Sequence, residues 1–351
     1  MISRKTYPIT CFLLFIGWLW VTEARAQVPK TIHLAPTPLF RDPITDGVAD
    51  PALIYNKEEK SWWMLYTQRR ANVDAADVAY CYGTAIGIAS TADEGRTWVY
   101  RGTLDLDFEK GQNTFWAPDV VYHDGQYHLF VTYIRGVRNH WGGEAKMAHY
   151  TSSNLWDWKF LEFPQLTSKK VIDPSLFRDQ KGIWHMWYKD EAQPEGNLFV
   201  AESKDLKNWE THAKPVFPGH GQEGPKVFQF KGYYWLLTDE WAGMRVYRST
   251  DLIHWEKQGR ILDDKGKRPD DTPTGAHGDV IVLKDKAYVF YFTHPGREEH
   301  TKAENDKNGV LPYALRRSSA QVAELRFEEG TLIARRDEPF DFVLSAPPDS
   351  F

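Results

Sequence analysis

Asp173-Pro174-Ser175-Leu176-Phe177, followed across Lys181-Gly182 by Trp184-His185-Met186-Trp187-Tyr188, reads as a β-hairpin. Two short apolar or aromatic runs flank a turn former, too short for helices and rich in strand-favouring residues. The same arrangement occurs at four other places. Asp50-Pro51-Ala52-Leu53-Ile54-Tyr55 precedes Trp62-Trp63-Met64-Leu65-Tyr66, and Trp116-Ala117-Pro118-Asp119-Val120-Val121 precedes Tyr127-His128-Leu129-Phe130-Val131. Glu223-Gly224-Pro225-Lys226-Val227-Phe228 precedes Tyr233-Tyr234-Trp235-Leu236-Leu237, and His277-Gly278-Asp279-Val280-Ile281 precedes Tyr288-Val289-Phe290-Tyr291-Phe292. The proline or glycine marking each unit returns after roughly 50 to 67 residues, a spacing typical of propeller blades.

A second signature trails the hairpins: Ser152-Ser153-Asn154-Leu155-Trp156-Asp157-Trp158, Ser203-Lys204-Asp205-Leu206-Lys207-Asn208-Trp209 and Ser249-Thr250-Asp251-Leu252-Ile253-His254-Trp255. A looser version from Ser90 to Trp98 resembles the Asp-box turn of sialidase-type propellers. Ser and Asp or Asn side chains close such turns onto the backbone, and the final Trp packs between blades. Trp98, Trp158, Trp209 and Trp255 are therefore expected to be mostly buried. The pattern predicts an all-β fold, a five-bladed β-propeller with four-stranded antiparallel blades around a central channel. Tyr313 to Ser319 and Gln321 to Phe327 read as two late strands, with a turn at Glu329-Gly330. The segment from Leu34 to Phe40 is expected to add a strand that seals the ring.

With 351 residues, 42% hydrophobic and 26% charged, the chain has the composition of a globular protein. A formal net charge of -5 offers no broad basic field, which argues against nucleic acid as a partner. Arg4 and Lys5, the apolar run Ile9 to Val21 and Ala24-Arg25-Ala26 read as a cleaved signal peptide over residues 1–26. That run is shorter than the roughly 20 residues of a membrane span. The expected product is a secreted or periplasmic single catalytic domain, 27–351, of undetermined oligomeric state. Its lone cysteine is Cys81, so no intramolecular disulfide is expected.

Residues opening the innermost strand of each blade converge on one mouth of the channel. Asp50, Asp173 and Glu223 then meet, although far apart in sequence. Burial and repulsion among three carboxylates raise at least one pKa. Hydrolysis of a glycosidic bond needs that separation: one ionised carboxylate to activate water, one protonated acid to release the leaving group.

The ordered set Asp-Pro, Trp-Ala-Pro, Asp-Pro-Ser and Glu-Gly-Pro, the last followed by a Gly-Tyr-Tyr strand, resembles glycoside hydrolase family 43 and its five-bladed relatives. The resemblance implies Asp50 as general base, Glu223 as general acid and Asp173 as the carboxylate that orients the acid and tunes its pKa. It further implies an inverting hydrolase that removes arabinofuranosyl, xylosyl or similar units from polysaccharide-derived oligosaccharides, and the long insertions beside the mouth are expected to favour exo action. A related enzyme for anhydro-galactosyl or galactofuranosyl linkages and a non-catalytic carbohydrate-binding propeller are the alternative readings. A sialidase fits less well, because the expected arginine triad is not evident.

Under the same resemblance His277 lies near the channel centre, where a structural calcium or sodium ion or a water sits in some members. Otherwise it is a hydrogen-bonded channel histidine. No cofactor is required and no metal-ligand spacing marks a zinc site. Trp116 reads either as a sugar platform or as a blade-packing residue, and Asp119 either as a ligand of a sugar hydroxyl or as a turn stabiliser. Arg69 and Arg316 are candidates for a sugar hydroxyl or carboxylate, or else solvated charges. The long connections at 71–82 and 135–145 are placed to shape the pocket, and the polar stretch 298–308 reads as a solvated excursion.

Overall fold

Each hairpin pairs as the sequence spacing requires, and two further strands extend it outward. The computed structural model describes Met1 and residues 32–106, 108–193, 196–297 and 309–348. The expected signal peptide and the 298–308 excursion lie outside the described residues. Blade one comprises β1 (Val48–Asn56), β2 (Ser61–Gln68), β3 (Ala85–Thr91) and β4 (Val99–Thr103). Blade two comprises β5 (Thr114–His123), β6 (Gln126–Ile134), β7 (Lys146–Ser152) and β8 (Lys159–Glu162). Blade three holds β9 (Val171–Arg178), β10 (Trp184–Asp190), β11 (Leu198–Ser203) and β12 (Glu210–Thr211). Blade four holds β13 (Glu223–Phe230), β14 (Tyr233–Asp239), β15 (Met244–Ser249) and β16 (Glu256–Ile261). Blade five holds β17 (Ala276–Leu283), β18 (Lys286–Thr293), β19 (Ser319–Glu328) and β20 (Thr331–Ala334). Every sheet is four-stranded and antiparallel, with strands in chain order.

Asp124-Gly125 and Lys231-Gly232 each join an inner strand to its neighbour with both residues at positive φ, the two-residue turn whose twist suits a hairpin. All eight residues of β2 are buried, because the sheet is covered on both faces. This is why the inner strands read as continuous apolar runs instead of alternating ones. A separate apolar cluster fills each gap between successive blades. Trp63 and Leu65 pack toward Leu129 and Tyr150, and Trp184 and Met186 toward Phe130. Trp187 packs with Leu236, Phe228 with Val289, and Tyr288 and Phe290 with Trp62 and Met64. Each such large side chain contributes roughly 1.5–3 kcal/mol on burial.

The outer turns form as expected. Asp205 Oδ1 accepts from the Lys207 and Asn208 amides at 3.0 and 2.8 Å, and Asp251 and Asn154 repeat the arrangement. Their tryptophans are only half-buried, contrary to expectation. The buried residue in these turns is the leucine three places earlier: Leu155 and Leu206 are fully enclosed at positive φ. Ring closure also differs. Blade five takes all four strands from one stretch of chain, and the N-terminal segment adds only a bridge from Phe40 to Ala320. Tyr313–Arg316 is a short helix, α1, and not a strand.

Candidate active site

The inner strands share one irregularity that places the site. In each, one extra residue is inserted against the second strand: between Ala49 and Ala52, Trp116 and Asp119, Ile172 and Ser175, Glu223 and Lys226, and Ala276 and Asp279. Such bulges re-aim side chains, and here they do so at the head of every blade. Counted from the bulge, Asp50, Ala117, Asp173, Gly224 and His277 are equivalent and form one ring. The next ring down is Ala52, Asp119, Ser175, Lys226 and Asp279. Glu223 and Trp116 belong one residue earlier, toward the mouth. The five opening residues that look aligned in sequence therefore occupy two levels.

The lower ring closes the channel. Lys226 Nζ lies 3.1 Å from Asp119 Oδ1 and 2.8 Å from Asp279 Oδ1, with all three residues drawn from different blades. Asp119 Oδ2 accepts from the Leu176 amide at 2.6 Å, and Asp279 Oδ2 from the Leu53 amide at 2.7 Å. Asp119 thus has both oxygens committed to joining blades and does not face a sugar hydroxyl. The cavity between the two rings is about 20 Å³, room for about one water. A sugar must bind above it, at the mouth.

In the upper ring, Asp50 is buried and accepts from Thr67 Oγ1 at 2.6 Å. His277 Nε2 lies 3.2 Å and Arg69 Nη2 3.8 Å from its other oxygen. Burial works to raise the Asp50 pKa, but the His277 imidazolium, Arg69 and the Thr67 bond prevail and hold it at about 2. His277 is itself buried between Asp50 and Asp239, whose Oδ2 lies 3.4 Å from Nδ1. Against the cost of burial, these carboxylates keep its pKa well above the ordinary imidazole value. Gly224 faces this ring: at φ +53, a Cβ there would fall 2.0 Å from His277 Cγ.

Asp173 and Glu223 differ in the opposite sense from the sequence expectation. Burial, with repulsion from Glu223, pushes Asp173 up to about 7 despite His277 and Lys189. For Glu223 burial is outweighed by Lys189 and His277, so its pKa lies below the ordinary value. Lys189 Nζ donates to Glu223 Oε2 at 2.9 Å, and Trp241 Nε1 donates to Oε1 at 2.8 Å. The two carboxyls titrate as one unit, whose last proton rests on Asp173 in the free site. Asp173 Oδ2 also accepts from the Gly224 amide at 3.1 Å, which joins the two elements.

Arg69 stands at the mouth. Its Nη1 lies 3.2 Å from His294 Nε2, while His294 Nδ1 meets the Arg317 carbonyl at 3.1 Å. Because arginine only donates and a carbonyl only accepts, the imidazole is neutral with its proton on Nδ1. Burial and the adjacent Arg297 and Arg69 hold its pKa well below the ordinary value. Trp116 is half-buried, bonds the Cys81 carbonyl at 2.6 Å and packs on Tyr82 and Trp141, with ring centroids 4.7 and 5.9 Å away. Arg316 is elsewhere: it is buried on α1, bonded to the Val73 carbonyl and to Asp74, and anchors the 71–82 connection. Tyr82 of that connection bonds the His140 carbonyl at 2.8 Å, tying the two long insertions together.

Lys189, Asp239 and Trp241 were not singled out from the sequence. Lys189 and Asp239 pair with Ile172 and Glu223 at the mouth ends of second strands. A charged residue closing an aromatic run, as in Trp187-Tyr188-Lys189, is the signal that marks such positions. Glu223, Asp239 and His277 offer donor atoms within 4.8 Å of one another. A calcium or sodium ion at this place would meet His277 through water, because the ring already faces Asp50 and Asp239.

Five four-stranded blades bring Asp50, Asp173 and Glu223 together at one mouth of the propeller. The family model for glycosyl hydrolases family 43 matches residues 93–241. A thermostable family-43 glycoside hydrolase shares the fold at TM-score 0.60 and 18% identity, over 88% of this chain and 99% of that one. A β-xylosidase/α-arabinofuranosidase from a compost microbial metagenome, solved with xylotriose in a calcium-free form, superposes at TM-score 0.61 and 15% identity over 86% and 97%. A variant of exo-β-1,3-galactanase from Phanerochaete chrysosporium, solved with β-1,3-galactotriose, gives 0.57 and 12% over 82% and 62%. The resemblance in the motifs thus extends to a family match over residues 93–241 and to the fold of the whole propeller.

Proposed function

We propose that this is an exported, inverting, exo-acting glycosidase that removes arabinofuranosyl, xylosyl or similar units from polysaccharide-derived oligosaccharides. The carrying observation is the separation of Asp50, held at about 2, from Asp173, raised to about 7, within one pocket. At neutral pH the pocket thus contains both an ionised base and a transferable proton. Water attacks the anomeric carbon and gives its proton to Asp50. The glycosidic C–O bond breaks as its oxygen takes from Glu223 the one proton of the pair, which Glu223 has first drawn from Asp173; the proton left on Asp50 returns to the pair through solvent after product leaves. His277 stabilises the Asp50 carboxylate, and Arg69 orients it from the mouth side.

Exo action is supported by a channel closed immediately below the carboxylates and by the long insertions at its mouth. Proton NMR of the first sugar released from a panel of aryl glycosides and plant and algal oligosaccharides tests substrate and stereochemistry together. An inverted pentose is expected. A retained anomer excludes the inverting mechanism, and binding without turnover across the panel favours a carbohydrate-binding propeller.

A further inference from the structure

A leaving group that reaches Glu223 meets an oxygen that already accepts one hydrogen bond. Oε2 faces the Lys189 ammonium and Oε1 the Trp241 indole N–H, and both partners are donors. A carboxyl that passes a proton to a glycosidic oxygen must present one of its own oxygens to that atom. A donor on that oxygen either shares it with the leaving group or gives way to it.

The two are held very differently. Lys189 is buried on β10 and also contacts Glu191 at 3.3 Å. Trp241 sits on the turn between β14 and β15, at φ +58, with 59% of its surface exposed. Its backbone amide is fixed by Asp239 Oδ1 at 2.7 Å, but its ring is held to the site by the single bond to Glu223 and by the Lys189 ammonium 5.6 Å from its centroid. The exposed indole is the donor that a sugar can displace.

We propose that Trp241 is a positioning residue that caps Glu223 Oε1 in the free enzyme and yields this oxygen to the glycosidic oxygen when a sugar occupies the leaving-group side of the pocket. The inference rests on Glu223 acting as the acid. Its displaced ring covers the leaving-group sugar, an apolar platform beside the broken bond. The charged groups facing Glu223 are Lys189 from β10, Asp173 from β9, Asp239 from β14, His277 from β17 and, more distantly, Arg69 after β2. None of them can take the place of the indole at Oε1 without leaving a partner of its own.

The test is the indole N–H resonance of Trp241 in the ¹⁵N-labelled full chain, assigned by its loss in Trp241→Phe. It is expected downfield in the free protein, displaced in Glu223→Gln, and shifted upfield when xylo- or arabino-oligosaccharide is added to the inactive Asp50→Asn variant. A resonance that stays fixed while other signals respond to the sugar overturns the proposal and leaves the glycosidase reading intact. If no signal responds to any oligosaccharide, both fall. In kinetics, Trp241→Phe is expected to keep KM near wild type while the alkaline limb of kcat/KM moves upward, because Glu223 loses a donor to its ionised form. Trp241→Ala should in addition raise KM about threefold to tenfold, the loss of an aromatic contact. An unchanged pH profile in both variants assigns Trp241 to sugar stacking alone and overturns the capping role.

Discussion

His277 Nε2 lies 3.2 Å from Asp50 Oδ1, and this contact keeps the proposed base ionised far below neutrality. Asp50 loses its charge only as pH falls through about 2, so it does not limit kcat/KM under mildly acidic conditions. Replacing the imidazolium in His277→Gln is expected to raise the Asp50 pKa and to bring an acid limb into the measured profile. Asp50→Asn should lower kcat by roughly 10²–10⁴-fold with the fold preserved by circular dichroism. Wild-type turnover in Asp50→Asn excludes its role as base.

The Asp173–Glu223 pair sets the other limb. Its last proton leaves near pH 7, so kcat/KM is expected to decline above that value. In Asp173→Asn the repulsion is gone and Glu223, beside Lys189, is the only carboxyl of the pair. The limb then moves to lower pH and activity at pH 7 drops. A limb that stays near 7 in this variant assigns it to another group.

Lys226 is expected to matter to stability and not to chemistry. Lys226→Met leaves Asp119 and Asp279 buried without a counter-ion, a loss of about 3–5 kcal/mol. Urea unfolding measures it directly. A loss below about 1 kcal/mol means that the two carboxylates are not held as ions by this lysine.

Gly224→Ala tests the close approach between blades four and five. Positive φ alone costs about 1–2 kcal/mol in a non-glycine residue, and the new methyl overlaps the His277 ring. Both stability and kcat should fall, since His277 can yield only by leaving Asp50. A fully active variant would show that the ring has room to retreat.

Acid should weaken the fold through a site remote from the mouth. His128 Nδ1 and His149 Nε2 are 3.0 Å apart in the core; burial, with repulsion from His123 and Lys207, lowers His128 to about 4, and burial, with repulsion from His128 and Lys207, lowers His149 to about 3. Below about 6.5 the unfolded histidines bind protons that the folded pair refuses, so stability falls as pH drops toward the folded values. The effect is roughly 3–5 kcal/mol for the pair treated as one unit. Melting temperatures between pH 7 and 4.5 should fall less steeply in His128→Gln. An identical slope in the variant assigns the acid sensitivity elsewhere.

The sequence by itself determined the strands, the five-fold repeat and the three carboxylates. Aromatic runs between turn formers are local signals, and runs such as Trp62–Tyr66 are apolar throughout because both faces of a blade are covered. Only the tertiary structure decided how those carboxylates are charged. A shared one-residue bulge puts Glu223 a level above Asp50 and Asp173 and brings in Lys189, Asp239 and Trp241 from strand ends and turns. A pKa depends on neighbours within a few ångströms, and around Asp50, Asp173 and Glu223 these include residues contributed by other blades. That is why Asp119 reads in the sequence as either a sugar ligand or a turn stabiliser, while its oxygens meet Lys226 and the Leu176 amide from other blades. It is also why the raised carboxyl is Asp173 and not Glu223.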